Sequence, residues 1–232
     1  MVEDIRPGRW QVLPTIIKNL IIINALVWLA QITVGKSAIP MSDLFALHHI
    51  KSELYKPWQF LTYMFMHDPD GPWHILFNML ALWMFGSTLE NLWGPKRFVL
   101  FYLTCGLFAG FVQIAAMSYD ASQYKGLLGS GQISTEEFNS LMNIPVLGAS
   151  GAVMGIFAAF AYSFPNSKLF IFPIPFPIKA KWALLGFVGY DLFGGISSNQ
   201  GGGVAHFAHI GGALIGILLV YLWNRKNRQT FY

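Results

Sequence analysis

Charged residues are absent from five long stretches of the 232-residue chain, at 19–35, 71–89, 98–119, 138–167 and 192–224. These stretches are mostly apolar and do not alternate strictly between apolar and polar positions. Such runs read as helices, and about 17–25 residues are what a helix needs to cross the hydrocarbon core of a bilayer. In lipid the backbone must satisfy its own hydrogen bonds, so a spanning segment is a helix or part of a closed barrel. The pattern predicts six spans, at about 17–35, 74–91, 97–118, 147–164, 180–195 and 204–224. The fifth follows FPIPFP at 172–177, whose prolines exclude regular helix, and carries Asp191 near its end. The first has no small-residue cleavage site and reads as a span, not a signal peptide. The expected fold class is therefore all-α: a polytopic membrane protein whose six transmembrane helices form one domain over residues 1–232.

The connections carry their own pattern. Residues 36–73 mix Pro, aromatics and charge, which predicts short interfacial helices anchored by Tyr55, Trp58 and Tyr63, with His48 and His49 at the surface. In 119–146, Ser134 and Glu137 form a capping box that predicts a short helix over about 135–143. No internal repeat or second soluble domain is evident.

Composition sharpens this picture. The chain is 54% hydrophobic before glycine is counted and 11% charged, whereas soluble domains carry about 25% charged residues. That excludes an ordinary soluble enzyme, a disordered chain and a nucleic-acid binder. The net charge of +4 comes from 15 basic and 11 acidic residues. Eleven of those 15, Arg6, Arg9, Lys18, Lys96, Arg97, Lys168, Lys179, Lys181, Arg225, Lys226 and Arg228, fall on one side of a six-span chain. Lys36, Lys51, Lys56 and Lys125 fall on the other. The positive-inside rule then places both termini in the cytoplasm of a cell whose inner membrane the chain spans. The single cysteine, Cys105, excludes a disulfide framework and reads as a small buried side chain.

Polar side chains at membrane depth are costly and need a reason. Spans two, four and six all run from outside to inside, and their first turns hold His74 and Asn78, then Ser150, then His206 and His209. Ser150 lies in GASGAVMG, flanked by Gly148 and Gly151, with Gly155 one turn on. The glycines leave its hydroxyl unshielded, and the free N–H groups of a helix start suit a developing oxyanion. Gly212 and Gly216 on span six match Gly151 and Gly155 on span four as small-xxx-small faces, along which two membrane helices pack closely. That contact brings His209 to Ser150, a base beside a nucleophile. His74 and Asn78, four apart on one face, are candidate oxyanion donors together with the Ser150 backbone N–H. No acidic residue sits at comparable depth on spans two, four or six, so the expectation is a Ser-His dyad. Asp191 is expected to cap span five or face the cavity. His206 lines the cavity or packs on span five.

At these residues the chain resembles the rhomboid family of intramembrane serine proteases, of the bacterial six-span type. The match is GxSG at 148–151, AHxxG at 208–212 and HxxxN at 74–78, in the family's order on the second, fourth and sixth spans. The resemblance implies a six-helix bundle with a water-filled cavity open to the outer face. It implies Ser150 as nucleophile, His209 as general base and acid, and an oxyanion hole from the Ser150 amide, His74 and Asn78. It also implies transmembrane protein substrates cut near the outer face, with no cofactor and no metal. Glu90 and Gly94 resemble the end of the family's second helix, and His67 the histidine that precedes HxxxN. Two positions depart. Trp58-Gln59 stands where the family often has Trp-Arg, and Met154 where many relatives have an aromatic against the catalytic histidine.

Other readings fit less of the pattern. HExxH is missing, an aspartyl intramembrane protease needs two membrane aspartates where only Asp191 qualifies, and a transporter would bring repeats and broken helices. The alternative that remains is an inactive rhomboid-like protein that binds membrane helices without cutting them. Neither substrate identity nor oligomeric state is legible.

Overall fold

The computed structural model describes residues 10–35, 39–171, 174–197 and 205–226. Arg6, Arg9, Lys36, Arg228 and positions 172, 173 and 204, which enter the sequence reading, lie outside these residues. Among the described residues six long helical segments form the bundle. They are α1 (Thr15–Thr33), then α4 (Trp73–Ala81) continuing through a π turn (Leu82–Gly86) into α5 (Ser87–Trp93), then α6 (Pro95–Gly129), α8 (Ser150–Ser163), α9 (Ala180–Ser197) and α10 (His206–Lys226). Short helices α2 (Met41–Phe45), α3 (Gln59–Thr62) and α7 (Thr135–Met142) fill the two long connections. A two-residue antiparallel ribbon, β1 (Lys168–Leu169) with β2 (Ile178–Lys179), brackets the proline-rich turn.

The chain is an all-α polytopic membrane bundle with apolar side chains on its surface as well as in its core. Leu26, Phe77, Leu100, Phe111, Phe193 and Leu214 face outward, while Asn24, Gln31, Asn78, Asp191 and His206 are buried. Thr15–Thr33, Pro95–Gly129 and His206–Arg225 each have the length and apolar character to cross a membrane.

Local chemistry sets the helix ends. α1 has no side-chain cap of its own. The Glu90 carboxylate supplies one, accepting from Ile16 N and Ile17 N at 2.9 Å each. Gly94 ends α5 at φ +79°, a conformation that favours glycine, and Pro95 then starts α6 at the position where its missing N–H costs nothing. α6 continues to Gly129 instead of ending near 118. Its 35 residues make about 52 Å against a core of about 30 Å. Apolar character ends at the membrane boundary, but no proline interrupts the helix there. Ser134 caps α7, accepting from Glu137 N at 3.1 Å.

α8 sits centrally, with Gly151, Ala152, Gly155, Ile156, Ala158 and Ala159 all buried. Its small residues admit α10 at backbone distance. A methyl group on Gly216 would lie 2.5 Å from Gly155 O, and one on Gly212 would overlap Gly151 O. Cys105 lies buried against Gly155 from α6.

The loop between α1 and α4 departs from three expectations. His48 and His49 are buried at 0% and 2% exposure, not at the surface, and Tyr63 is buried as well. The loop folds under itself, so several of its polar groups find partners inside the protein. His48 Nδ1 donates to Ala46 O, His49 Nε2 donates to Ser118 Oγ, and Tyr63 OH donates to Gly106 O at 2.6 Å. Gln59 is also buried. It receives His48 N and donates to Asp43 O and Leu54 O. Trp58 remains half exposed and donates to Leu44 O.

Candidate active site

The approach to α8 is strapped on both sides. Leu47 and Val146 exchange backbone hydrogen bonds at 2.8 Å, and Gly148 N donates to Tyr63 O at 3.0 Å. Gly148 adopts φ +130°, so a side chain there is strained, and a methyl group would lie 2.8 Å from His74 Nε2. The helix therefore begins at Ser150 itself, not at 147, with glycine on the side that faces His74. The first N–H groups of α8 have no acceptor within the helix, and the Ser150 side chain is partly exposed.

α10 begins beside this point. Its first turn is held to α6 by Ala208 N donating to Gln113 Oε1 at 3.0 Å. His209 Nε2 lies 2.7 Å from Ser150 Oγ. The glycine contact of α8 with α10 sets this distance from below, because neither helix carries a side chain that would hold the two backbones apart.

α4 contributes His74 and Asn78. Asp68 N donates to His74 Nδ1 at 3.3 Å, which leaves the proton of a neutral ring on Nε2, the nitrogen over Gly148. Asn78 Nδ2 donates to His74 O at 2.8 Å, within its own helix, and keeps a second amide hydrogen. His67 packs edge-on against His74 with ring centroids 5.0 Å apart. Burial, with His74 adding to it, pushes the His67 pKa down to about 4. Gln31 ties this segment to α1, exchanging hydrogen bonds with the His67 backbone at 2.7 and 2.9 Å.

One contact was not anticipated. Asp191, from α9, reaches the far side of His209, with Nδ1 at 3.0 Å from Oδ1 and 3.2 Å from Oδ2. His206 Nδ1 lies 2.8 Å from the same Oδ1. Spans two, four and six hold no acid at this depth; the carboxylate comes from span five. An aspartate in an otherwise acid-free span, one connection away from two histidines, was the available signal. Both histidines bond Asp191 directly, and no group of three or more His, Cys, Asp or Glu among the described residues is arranged to hold a metal ion. Met154 packs toward α9, beside the cluster of Phe157, Ala158 and Leu184.

Comparison with known proteins identifies the family. Residues 55–226 match the family model described as the rhomboid domain. Rhomboid protein 1, mitochondrial, of Saccharomyces cerevisiae is 32% identical over 151 residues, covering 65% of this chain and 37% of that protein. Presenilin-associated rhomboid-like protein, mitochondrial, of Homo sapiens is 33% identical over 162 residues, covering 67% of this chain and 36% of that protein. Rhomboid protease GluP of Bacillus subtilis is 31% identical over 115 residues, covering 49% of this chain and 17% of that protein. The chain thus matches little more than a third of the first two relatives' length, and less of the third. With a family model spanning most of its residues, the chain belongs to the rhomboid family.

Proposed function

We propose that the chain is an intramembrane serine endopeptidase that cleaves transmembrane segments of other membrane proteins, with Ser150 as nucleophile and His209 as base. The observation that carries this reading is the 2.7 Å approach of His209 Nε2 to Ser150 Oγ from helices whose residues lie 59 positions apart. A serine and an imidazole half-buried within a membrane bundle need a reason to meet, and acyl transfer is one.

The chemistry follows from the atoms. Ser150 Oγ attacks the scissile carbonyl carbon while its proton passes to His209 Nε2. The oxyanion forms where the Ser150 N–H, His74 Nε2–H and the free amide hydrogen of Asn78 can donate to it. It collapses with cleavage of the C–N bond, and His209 returns the proton to the departing amine. Water then attacks the acyl-serine, loses a proton to His209, and frees Ser150 as His209 gives that proton back. Each oxyanion donor contributes about 10²–10³ in rate. No cofactor or metal enters these steps.

In this reading residues 1–232 act as a single membrane domain. It lies in the cell's inner membrane with both termini cytoplasmic and the site open to the outer face, in keeping with the distribution of Lys and Arg. Co-reconstitution in liposomes with a panel of single-span segments, small residues placed near their outer ends, tests the proposal. Cleavage by the wild type that disappears in Ser150→Ala and His209→Ala is expected. Products that persist in Ser150→Ala overturn the nucleophile. Capture of segments without cleavage by the wild type points to the helix-binding alternative.

A further inference from the structure

We propose that Asp191 is a positioning residue for His209, so that the pair of Ser150 and His209 works as a triad assembled from α8, α9 and α10. The inference rests on the reading of Ser150 as nucleophile.

An ionised carboxylate accepts hydrogen bonds and donates none. The contacts of Asp191 to His209 are both at Nδ1, at 3.0 and 3.2 Å. The Nδ1 of His209 therefore carries its proton, and the lone pair of the neutral ring lies on Nε2, 2.7 Å from Ser150 Oγ. Only this tautomer can accept the serine proton. The opposite tautomer presents an N–H to Ser150 and leaves Nδ1 facing the carboxylate without a hydrogen, which the carboxylate opposes. The same contact steadies the ring plane and places a negative charge beside the imidazolium that forms when Ser150 gives up its proton.

A structural reading competes with this one. Asp191 is buried, its side chain 4% exposed, and a buried carboxylate must be bonded whatever its role. His206 meets part of that need by donating to Oδ1 at 2.8 Å. If Asp191 only ties α9 to α10, His206 serves as well as His209. The geometry favours the positioning role because His209 spans both carboxylate oxygens while its other nitrogen is on Ser150. His206 touches Oδ1 alone, and its ring packs against Tyr190.

The test is the second-order rate of fluorophosphonate labelling of the full chain in detergent, for the wild type, Asp191→Asn, Asp191→Glu, His206→Ala and Ser150→Ala, together with ¹⁵N-histidine NMR of the wild type. Replacing the aspartate of a Ser-His-Asp protease by asparagine costs about 10⁴ in rate. We expect Asp191→Asn to slow labelling by about 10²–10⁴, Asp191→Glu to recover at least about tenfold of that, and His206→Ala to label at least about tenfold faster than Asp191→Asn. The NMR spectrum should show His209 protonated at Nδ1 through a downfield hydrogen-bonded proton. Labelling of Asp191→Asn within about threefold of the wild type overturns the proposal. So does an equal loss in His206→Ala, which identifies a mere tie between helices. Ser150→Ala labelling as fast as the wild type instead overturns the nucleophile. The NMR arm needs neither labelling nor a variant, and a wild-type His209 protonated at Nε2 sinks the proposal by itself.

Discussion

Replacing Gly216 by alanine probes how the site is held together. The substitution lies seven residues below His209 on α10, opposite Gly155, which lies five residues below Ser150 on α8. The new methyl group would stand 2.5 Å from Gly155 O and 2.8 Å from its Cα, where ordinary contact begins at 3.4 Å. The helices must separate by about 0.9 Å, the difference of 3.4 and 2.5 Å, because both obstacles are backbone. Overpacking of this kind costs about 1–3 kcal/mol. Alanine in place of glycine within a helix returns about 1 kcal/mol. With a rigid backbone in the way the packing loss falls in the upper part of its range and wins, for a net destabilisation of up to about 2 kcal/mol. A shift approaching 1 Å at the reacting atoms lowers rate by up to about 10², so fluorophosphonate labelling should slow by about 10–100-fold. Gly186→Ala is the control. It lies on α9 with nothing within 4 Å of the added methyl, so only the propensity gain operates. The assay is thermal unfolding in detergent with labelling rates measured on the same samples. A Gly216→Ala protein as stable as Gly186→Ala, and labelled at the wild-type rate, would refute the claim that backbone contact of α8 with α10 sets the distance from His209 to Ser150.

Three further outcomes are expected. Glu90→Ala leaves Ile16 N and Ile17 N without their acceptors and should cost about 2–6 kcal/mol, at about 1–3 kcal/mol for each unmade bond; Glu90→Gln, with one oxygen still accepting, should cost about half as much in the same unfolding assay. His74→Ala should reduce the turnover of any cleaved segment by about 10²–10³ with little change in its KM, whereas a rise in KM alone would assign His74 to binding. His67 is buried, with its pKa held to about 4 against about 6.5 in the unfolded chain. The unfolded chain therefore binds the extra proton first as pH falls, so the contribution of neutral His67 is whole above about pH 6.5 and is lost on descending toward 4, up to about 3 kcal/mol. His48 and His49, also pushed down by burial, act in the same direction. The fall in unfolding temperature from pH 7 to 4.5 should be smaller in His67→Gln, and an unchanged fall would remove His67 from the account.

What the sequence disclosed follows from the range of each interaction. The long helices are legible because charge-free length is a local property, and each of α1, α6 and α10 answers to its own run of residues. The approach of α8 to α10 is legible because glycine at matched spacing has few other uses inside a membrane. The burial of His48, His49 and Tyr63 is not legible. It depends on Leu47 pairing with Val146 and on Gln59 bonding three carbonyl or amide groups of its own loop, long-range and irregular contacts that no periodicity records. Asp191 was visible as a costly residue but not as a partner of His209. That contact depends on how α9 returns beside the first turn of α10, a geometry that hydropathy leaves open. The extension of α6 past residue 118 escaped for the opposite reason, since the end of apolar character is not the end of helix.

The proposed chemistry turns on the activation of Ser150 by His209. Fluorophosphonate labelling of the detergent-purified protein, with the modified residue located by peptide mass mapping, tests it most directly because the probe needs no known substrate. The account predicts a single adduct on Ser150 in the wild type, no adduct in Ser150→Ala, and none in a folded His209→Ala. A folded wild type that takes no label, or an adduct of equal yield in His209→Ala, would contradict it.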